Sequence, residues 1–576
     1  MMKPKQNYLR KKLNKTRLKI IANEAGTKLV KKEEIDHEND QSPLLNLYKN
    51  KIPSFIIVIT TKLKERRYLM YTQYNMNQAF LPLELSDYLV PDHIVFQINT
   101  FVEQLDKHIL DQFYKHEGRP AYHPLIILKA LLFAYTEKTF SGRAIEKMMQ
   151  ENIPMKWLVA DSEISYRTIN RFRSSELCAA ILENVFVEFK AFLIQQEMIT
   201  NDVVFIDGTK IEADANKYSF VWKRATDKFY ASLKTKELEY YRNEILPTVE
   251  KEILKDEIDS LDKKDVETLK DFLEEALVEV NEEIETSPIK GPDSRKQKRR
   301  KLKKHLRKIK NDFLPREVKY EKYYRTFEGR NSFSKTDTDA TFMRMKEDPM
   351  LNGQLKPGYN LQIATENQFV LDYNIYPNPT DTRTLLPFID SMHSIPKTIV
   401  ADAGYGSQEN LETLDNSGIN HLIKYNMFEK EQTKKYQKSS RNINNWLYDS
   451  ENQTFTHPDG TQYRFHHISH RKTTTGYLTE KEIYYPENKE TAPQKSFSFN
   501  RNYQRLKEIE SAKLLSENGS ALFAYRKIDV EPVFGQIKHN LGFRRTHLRG
   551  KDKVKTDIGL VLMANNIIKV QKKRIK

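Results

Sequence analysis

Val203-Val204-Phe205-Ile206-Asp207-Gly208-Thr209-Lys210 is an apolar run that ends on an acid and a glycine. Consecutive apolar residues, most of them β-branched, read as a strand buried on both faces. The extended pattern resumes from Thr209 to Ala213, so the glycine reads as the turn of a hairpin. The same motif recurs at Thr398-Ile399-Val400-Ala401-Asp402-Ala403-Gly404-Tyr405-Gly406, a second apolar strand closing on an Asp and a Gly-rich turn.

Working outward, strand signals lie at Gly358 to Ala364 and at Val370 to Ile375, with a short one at His421 to Tyr425. A helix is expected over Thr382 to His393. The stretch from 223 to about 330 is helical and charged. Its first half is acidic (Glu250 to Glu285), Pro288 and Pro292 break it, and Arg295 to Lys310 holds eleven Lys or Arg in sixteen residues. Such a block is a solvated face or a phosphate-contacting helix. Residues 430 to 505 are polar, with alternation at Tyr463-Arg464-Phe465-His466-His467, and read as a β-rich insertion. The chain closes with helical segments from about Asp529 to Val570.

Upstream, residues 87 to 197 carry helical spacing: Ile94, Ile98, Val102 and Leu105, then Leu125, Leu128, Leu131 and Leu132. Ser165 is placed to cap a helix over Tyr166 to Arg173. A short helix, a turn and this helix with Arg167, Arg171 and Arg173 suit a DNA-reading helix-turn-helix. An ordinary helical bundle with a basic face fits the same pattern. Residues 1 to 69 form a basic N-terminal extension that reads as a solvated tail, although Ile52 to Thr61 is strand-like.

The chain of 576 residues has a formal charge of +16 and a pI near 9.2, which favours a polyanionic partner. Phe55 to Ile59 is far too short to span a bilayer, and no apolar signal-peptide core follows the basic start. Cys178 is the sole cysteine, which excludes an intrachain disulfide and a cysteine-based zinc cluster. A cytoplasmic, nucleoid-associated protein without membrane contact is expected.

The chemistry rests on three acids. Asp207 and Asp402 each end a strand. Glu531 reads as first-turn in an amphipathic helix capped by Asp529, with Pro532 tolerated there and Val530, Val533, Phe534, Ile537 and Leu541 facing a core. Lys538, seven residues on, shares the face of Glu531 and is placed to neutralise a phosphate. Phosphodiester cleavage and strand transfer need charge stabilisation on both attacking and leaving oxygens, which two cations about 4 Å apart supply. Mg²⁺ prefers carboxylate oxygens. Taken singly, each acid is a turn former or a helix-end charge; the ordered combination in a basic chain is the signal.

At these motifs the sequence resembles bacterial insertion-sequence DDE transposases with an RNase H-like catalytic domain, the group with a Tyr-Arg-Glu-Lys signature. The matching stretches are Phe205 to Lys210, Val400 to Tyr405 and Val530 to Lys538, with Gly358 to Gln362 and the helical block His123 to Arg173 in support, spanning roughly 70 to 570. The resemblance implies catalytic and metal-ligating roles for Asp207, Asp402 and Glu531, two Mg²⁺ ions with Mn²⁺ as substitute, and DNA contacts from Tyr525, Arg526 and Lys538. One departure stands out: Lys527 and Ala524 occupy the positions where the family has Arg and Tyr, and Tyr525-Arg526 are adjacent. Glu531 and Lys538 keep their spacing.

The expected architecture is an α/β RNase H-like catalytic domain (201 to 576) with a helical insertion (223 to 330) and a β-rich insertion (430 to 505), preceded by an all-α DNA-binding domain (70 to 200). Double-stranded DNA, as terminal inverted repeats and target, is the expected partner, and bringing two ends together calls for a homodimer. A noncatalytic DNA-binding regulator or decayed transposase, and an RNase H-like nuclease without strand transfer, are the rival readings. Asp202, Glu212, Asp214 and Asp381 read as solvated turn residues, and His466, His467 and His470 as surface histidines. Trp222 and Trp446 read as packing residues.

Overall fold

The computed structural model describes residues 71–72, 84–111, 121–249, 259–346, 353–488, 490 and 492–575. The expectations for residues 1 to 69 lie outside the described residues. Among the described residues no helix is long and apolar enough to cross a membrane.

Ahead of the sheet come α1 (Ile94–Gln104), α2 (Pro124–Thr136), α3 (Gly142–Glu151), α4 (Ile153–Leu158), α5 (Tyr166–Arg173) and α6 (Glu176–Gln195). α2 is buried all round, as its sequence Pro-Leu-Ile-Ile-Leu-Lys-Ala-Leu-Leu-Phe-Ala-Tyr-Thr requires. The Ser165 hydroxyl caps α5 by accepting from the Arg167 amide at 3.4 Å, as the sequence suggests.

The central sheet begins with β1 (Val203–Glu212). The hairpin expected at Gly208 does not form, and Asp207 lies inside the strand. The strand instead stays paired with its neighbour from Phe205 to Glu212, and a Cβ on residue 208 would stand 2.3 Å from Gln362 Nε2 and 2.6 Å from Asp381 Oδ1. Glycine here permits close approach of neighbouring groups to the strand.

A helical insertion follows, built from α7 (Lys223–Tyr240), α8 (Lys263–Thr286), α9 (Ser294–Lys308) and α10 (Leu314–Phe327). It has its own core, with Leu233, Leu273, Leu302 and Ile309 fully buried. The paired segments Phe220–Trp222 and Ser332–Ser334 run antiparallel at its two ends.

The sheet is then completed by β2 (Thr341–Arg344), β3 (Leu355–Glu366), β4 (Phe369–Tyr376), β5 (Thr398–Ala401) and β6 (Asn420–Ile423). β1 pairs antiparallel with β3 and parallel with β5, β5 pairs parallel with β6, and β4 and β2 both pair with β3. Reading β4-β3-β1-β5-β6, this is a mixed sheet with an antiparallel meander on one side and two parallel strands on the other. The β3–β4 turn has Asn367 and Gln368 both at positive φ (54° and 63°), as a two-residue primed hairpin requires. The helix expected over Thr382 to His393 is shorter, α11 (Leu385–Asp390), after a 3₁₀ turn at Asp381–Arg383.

α12 (Gln408–Asn416) precedes β6 in the chain. Within the expected β-rich insertion, five antiparallel strands between Leu447 and Phe499 enclose Trp446, Phe455, Tyr463 and Tyr484. Then come α13 (Arg501–Leu515), α14 (Glu517–Gly535) and α15 (Lys551–Ile575).

The expected helix start at Asp529 is overturned. α14 begins at Glu517 and is capped by Ser516, whose hydroxyl accepts from the Gly519 amide. Asp529 is buried inside the helix, where its Oδ1 accepts from Thr365 Oγ1 at 2.6 Å and its Oδ2 from the Gln368 amide at 3.0 Å. Pro532 therefore lies mid-helix, where its missing N–H leaves the Ile528 carbonyl without its usual donor. Gln368 Nε2 donates to that carbonyl at 2.9 Å, so the β3–β4 turn supplies the bond that proline removes.

One hydrophobic core runs from Ile94 through the sheet to Val570, joining α1, α2 and α6 to α15. A buried polar group crosses this junction. The Tyr135 hydroxyl donates to Asp557, Arg173 Nη1 donates to the Tyr135 hydroxyl at 3.0 Å, and the His547 amide donates to Asp557 Oδ2 at 2.8 Å.

Candidate active site

The register of β1 with β5 sets Ile206 opposite Ala401. Asp207 and Asp402 are the next residues, so two carboxylates leave neighbouring parallel strands at the same level. Asp207 is buried, and its Oδ1 accepts from the Gly208 amide at 2.7 Å. Asp402 caps its own turn, with Oδ1 accepting from the Gly404 amide at 2.8 Å.

Burial pushes the Asp207 carboxyl above its ordinary range, the Arg526 guanidinium pulls it down, and the charge of Asp402 pushes it up again. Arg526 comes from α14, which packs across β1, β3 and β5. Its Nη1 donates to Asp207 Oδ2 at 3.0 Å, with both side chains 9% exposed. This is an internal counter-ion for a buried acid. Lys346 adds positive charge nearby, its Nζ donating to the Gly208 carbonyl at 3.3 Å.

Glu531 lies on the same helix as Arg526 but on its exposed side. Among the described residues no group of three His, Cys, Asp or Glu is arranged to hold a metal. The structure thus brings Asp207 and Asp402 together and leaves Glu531 at the surface of α14. Lys538 is buried in the π-helical turn Gln536–Asn540 that continues α14. Tyr525 is exposed, with its ring 5.7 Å from that of Phe205.

A further acid, which in the sequence reads as a turn residue, stands at the pair. Asp381 Oδ1 accepts from Asn360 Nδ2 at 2.7 Å and from Gln362 Nε2 at 2.9 Å. Asp381 lies in a polar loop, Asn378-Pro379-Thr380-Asp381, and nothing local distinguishes it from an ordinary turn former. The polar alternation of Asn360 and Gln362 between the core residues Tyr359, Leu361 and Ile363 is the signal that points to it. The remaining acids are engaged elsewhere: Asp202 with Lys397, Glu212 with Lys356, and Asp214 with Arg545 and Arg549. His466, His467 and His470 are exposed on the β-rich insertion, as expected.

On α5, Arg167 and Arg171 are exposed. Arg173 is a correction to the set of DNA contacts: it is buried, and its Nη1 also donates to the Phe140 carbonyl at 2.7 Å. Its guanidinium turns into the core because Asp557 and Tyr135 stand there to receive it.

Residues 331–567 match the family model of the transposase DDE domain, and residues 83–175 match that of the transposase domain (DUF772). The strand order agrees with the RNase H-like fold that a transposase DDE domain implies. The chain belongs to the insertion-sequence DDE transposases. The first match covers Asp381, Asp402 and Glu531, and the second covers α1 to α5. Asp207 precedes the first match and is tied to it through the β1–β3 and β1–β5 pairings. No curated protein and no solved structure matches the chain.

Proposed function

We propose that this transposase cuts and joins DNA at the terminal inverted repeats of its own mobile element, with Asp207, Asp402 and Glu531 as the catalytic acids. The observation that carries the reading is the level placement of Asp207 and Asp402 on adjacent parallel strands. Two carboxylates held this close repel one another, and burial of one adds to the cost. An all-oxygen donor pair of this kind fits a hard divalent cation such as Mg²⁺, with Mn²⁺ as substitute. Asp207 and Asp402 would hold it, and Glu531 would complete the set from α14. Bound there, two such ions would stabilise charge on the attacking and leaving oxygens of a phosphodiester.

The chain's own residues do the rest. The β1 and β5 backbones fix the two acids, and the capped turn at Asp402 holds its carboxylate in orientation. Arg526 opposes the effect of burial on the Asp207 carboxyl, which still stands above its ordinary range. Tyr525, which is exposed, contacts phosphate near the cleaved end; Arg526 and Lys538 are buried, and Arg526 is engaged with Asp207. The helices between 70 and 200, with Arg167 and Arg171 outward, form the DNA-binding part. The basic face of α9, where Arg300, Lys301, Lys303 and Arg307 are exposed, tracks the DNA backbone. Synapsis of two ends is the work of a homodimer.

The test is a cleavage and strand-transfer assay on labelled DNA bearing the element's ends, with Mg²⁺. Wild type is expected to cut and join, while Asp207→Asn, Asp402→Asn and Glu531→Gln bind DNA without cutting. Variants that cut like wild type would make those carboxylates structural, and cleavage without joined product would favour a nuclease.

A further inference from the structure

Asn360 and Gln362 are buried polar side chains, 1% and 0% exposed, on a strand whose neighbours Tyr359, Leu361 and Ile363 are core residues. Burying two amides is unfavourable unless each finds a partner. Both find the same one, Asp381 Oδ1. Gln362 Nε2 also donates to Asn360 Oδ1 at 3.0 Å, and the Tyr405 hydroxyl donates to Gln362 Oε1. Tyr405 is 0% exposed and belongs to the turn that follows Asp402.

The network therefore ends beside each acid, at the residue after Asp207 and in the turn after Asp402. Gln362 is the β3 partner of Gly208, the residue after Asp207. At the other end, Thr382 Oγ1 donates to the Gly404 carbonyl at 2.9 Å, and Asn410 Nδ2 donates to the carbonyls of both Thr382 and Tyr405 at 2.9 and 2.8 Å. Asp381 also stands over both glycines: its Oδ1 is 2.6 Å from a Cβ built on Gly208, and its Oδ2 is 3.7 Å from one built on Gly404. An apolar strand would pack this region without any of these bonds. What the network adds is a fixed relation between two loops that the sheet alone leaves to turn geometry.

We propose that Asp381 is a positioning residue for the carboxylate pair: through Asn360, Gln362 and Tyr405 it sets the separation and orientation of Asp207 and Asp402. The inference rests on the reading that this pair binds the divalent cation. Asp381→Asn keeps the size of the side chain but presents an amide or a neutral oxygen to two amide donors. Gln362→Leu cuts the link to Tyr405 and removes one of the two amide donors to Asp381, while every carboxylate stays in place.

The experiment is calorimetric titration of the full chain with MnCl₂, with circular dichroism and a thermal melt as the check on folding. Asp381→Asn and Gln362→Leu are expected to fold and to bind Mn²⁺ more weakly by about 10–100-fold, the range for groups that orient metal ligands. The Mn²⁺ concentration for half-maximal cleavage is expected to rise in step, and Asp381→Glu to recover part of the affinity. Wild-type affinity in Asp381→Asn or Gln362→Leu, beside lost binding in Asp207→Asn, overturns this inference alone. Wild-type Mn²⁺ binding in Asp207→Asn overturns the metal reading itself, and this inference with it.

Discussion

Arg526 Nη1 lies 3.0 Å from Asp207 Oδ2, so the candidate catalytic acid on the central strand is neutralised by a guanidinium from the helix that carries Glu531. The family resemblance implies a DNA contact for Arg526. In the folded chain its guanidinium pairs with Asp207 and pulls that carboxyl down against burial, the larger influence.

Arg526→Ala is expected to raise the Asp207 carboxyl further above its ordinary range, since burial and Asp402 already push it up and Arg526 is the largest opposing influence. The acidic limb of the pH–cleavage profile should then move to higher pH, with Arg526→Lys in between. Removing one member of a buried pair also costs about 3–5 kcal/mol, which urea denaturation would read. An unmoved acidic limb would show that Asp207 ionisation does not limit the reaction.

Asp557 ties the N-terminal helices to α15. Burial pushes its carboxyl up, but His547, Arg173 and Tyr135 bring it below its ordinary value. A depressed carboxyl stabilises above its unfolded value, and that stability is lost as pH falls through the folded one. Asp557→Asn is expected to cost about 3–5 kcal/mol at neutral pH. Denaturation curves of variant and wild type should converge on acidification; a constant gap would mean that the loss is one of packing and not of charge.

Gln368 and Pro532 form a testable pair. Gln368→Ala removes the donor to the Ile528 carbonyl and is expected to cost about 1 kcal/mol. With Pro532→Ala the helix regains its own N–H for that carbonyl, so the same Gln368→Ala change should cost less there. A double-mutant cycle reads the difference, and strict additivity would show that the turn does not serve the proline.

Gly208→Ala is expected to damage the site more than the fold. The added methyl meets Gln362 and Asp381 side chains, not backbone, so the chain can yield locally at about 1–3 kcal/mol. Cleavage should fall far more than the melting temperature, and equal loss of both would argue for a purely structural glycine.

Replacing Arg300, Lys301, Lys303 and Arg307 with Ala should weaken DNA binding without regard to sequence. The slope of log K against log salt should become shallower by about 0.9 for each phosphate that is no longer neutralised. Unchanged affinity and slope would make α9 a solvated face.

Much of this protein was determined by local sequence. Apolar, β-branched runs marked β1 and β5, because a strand with both faces covered is largely apolar, and extended patterns with Asn360, Gln362, Asp372 and Asn374 set among apolar residues marked β3 and β4. The charged helical stretch became an insertion with a core of its own, and the alternating polar one became a small antiparallel sheet. Asp207 and Asp402 were legible because each follows such a run and precedes a glycine. Tertiary structure decided the rest. Gly208 reads as a turn until β1 pairs through it with β3, where Gln362 is its partner. Pro532 reads as a helix start until Gln368, 164 residues earlier in the chain, supplies the missing donor. Arg173 reads as a DNA contact until Asp557 draws it inward. In each case the partner lies far away in sequence, and the hydrogen bond that settles the residue's role exists only once the core has closed.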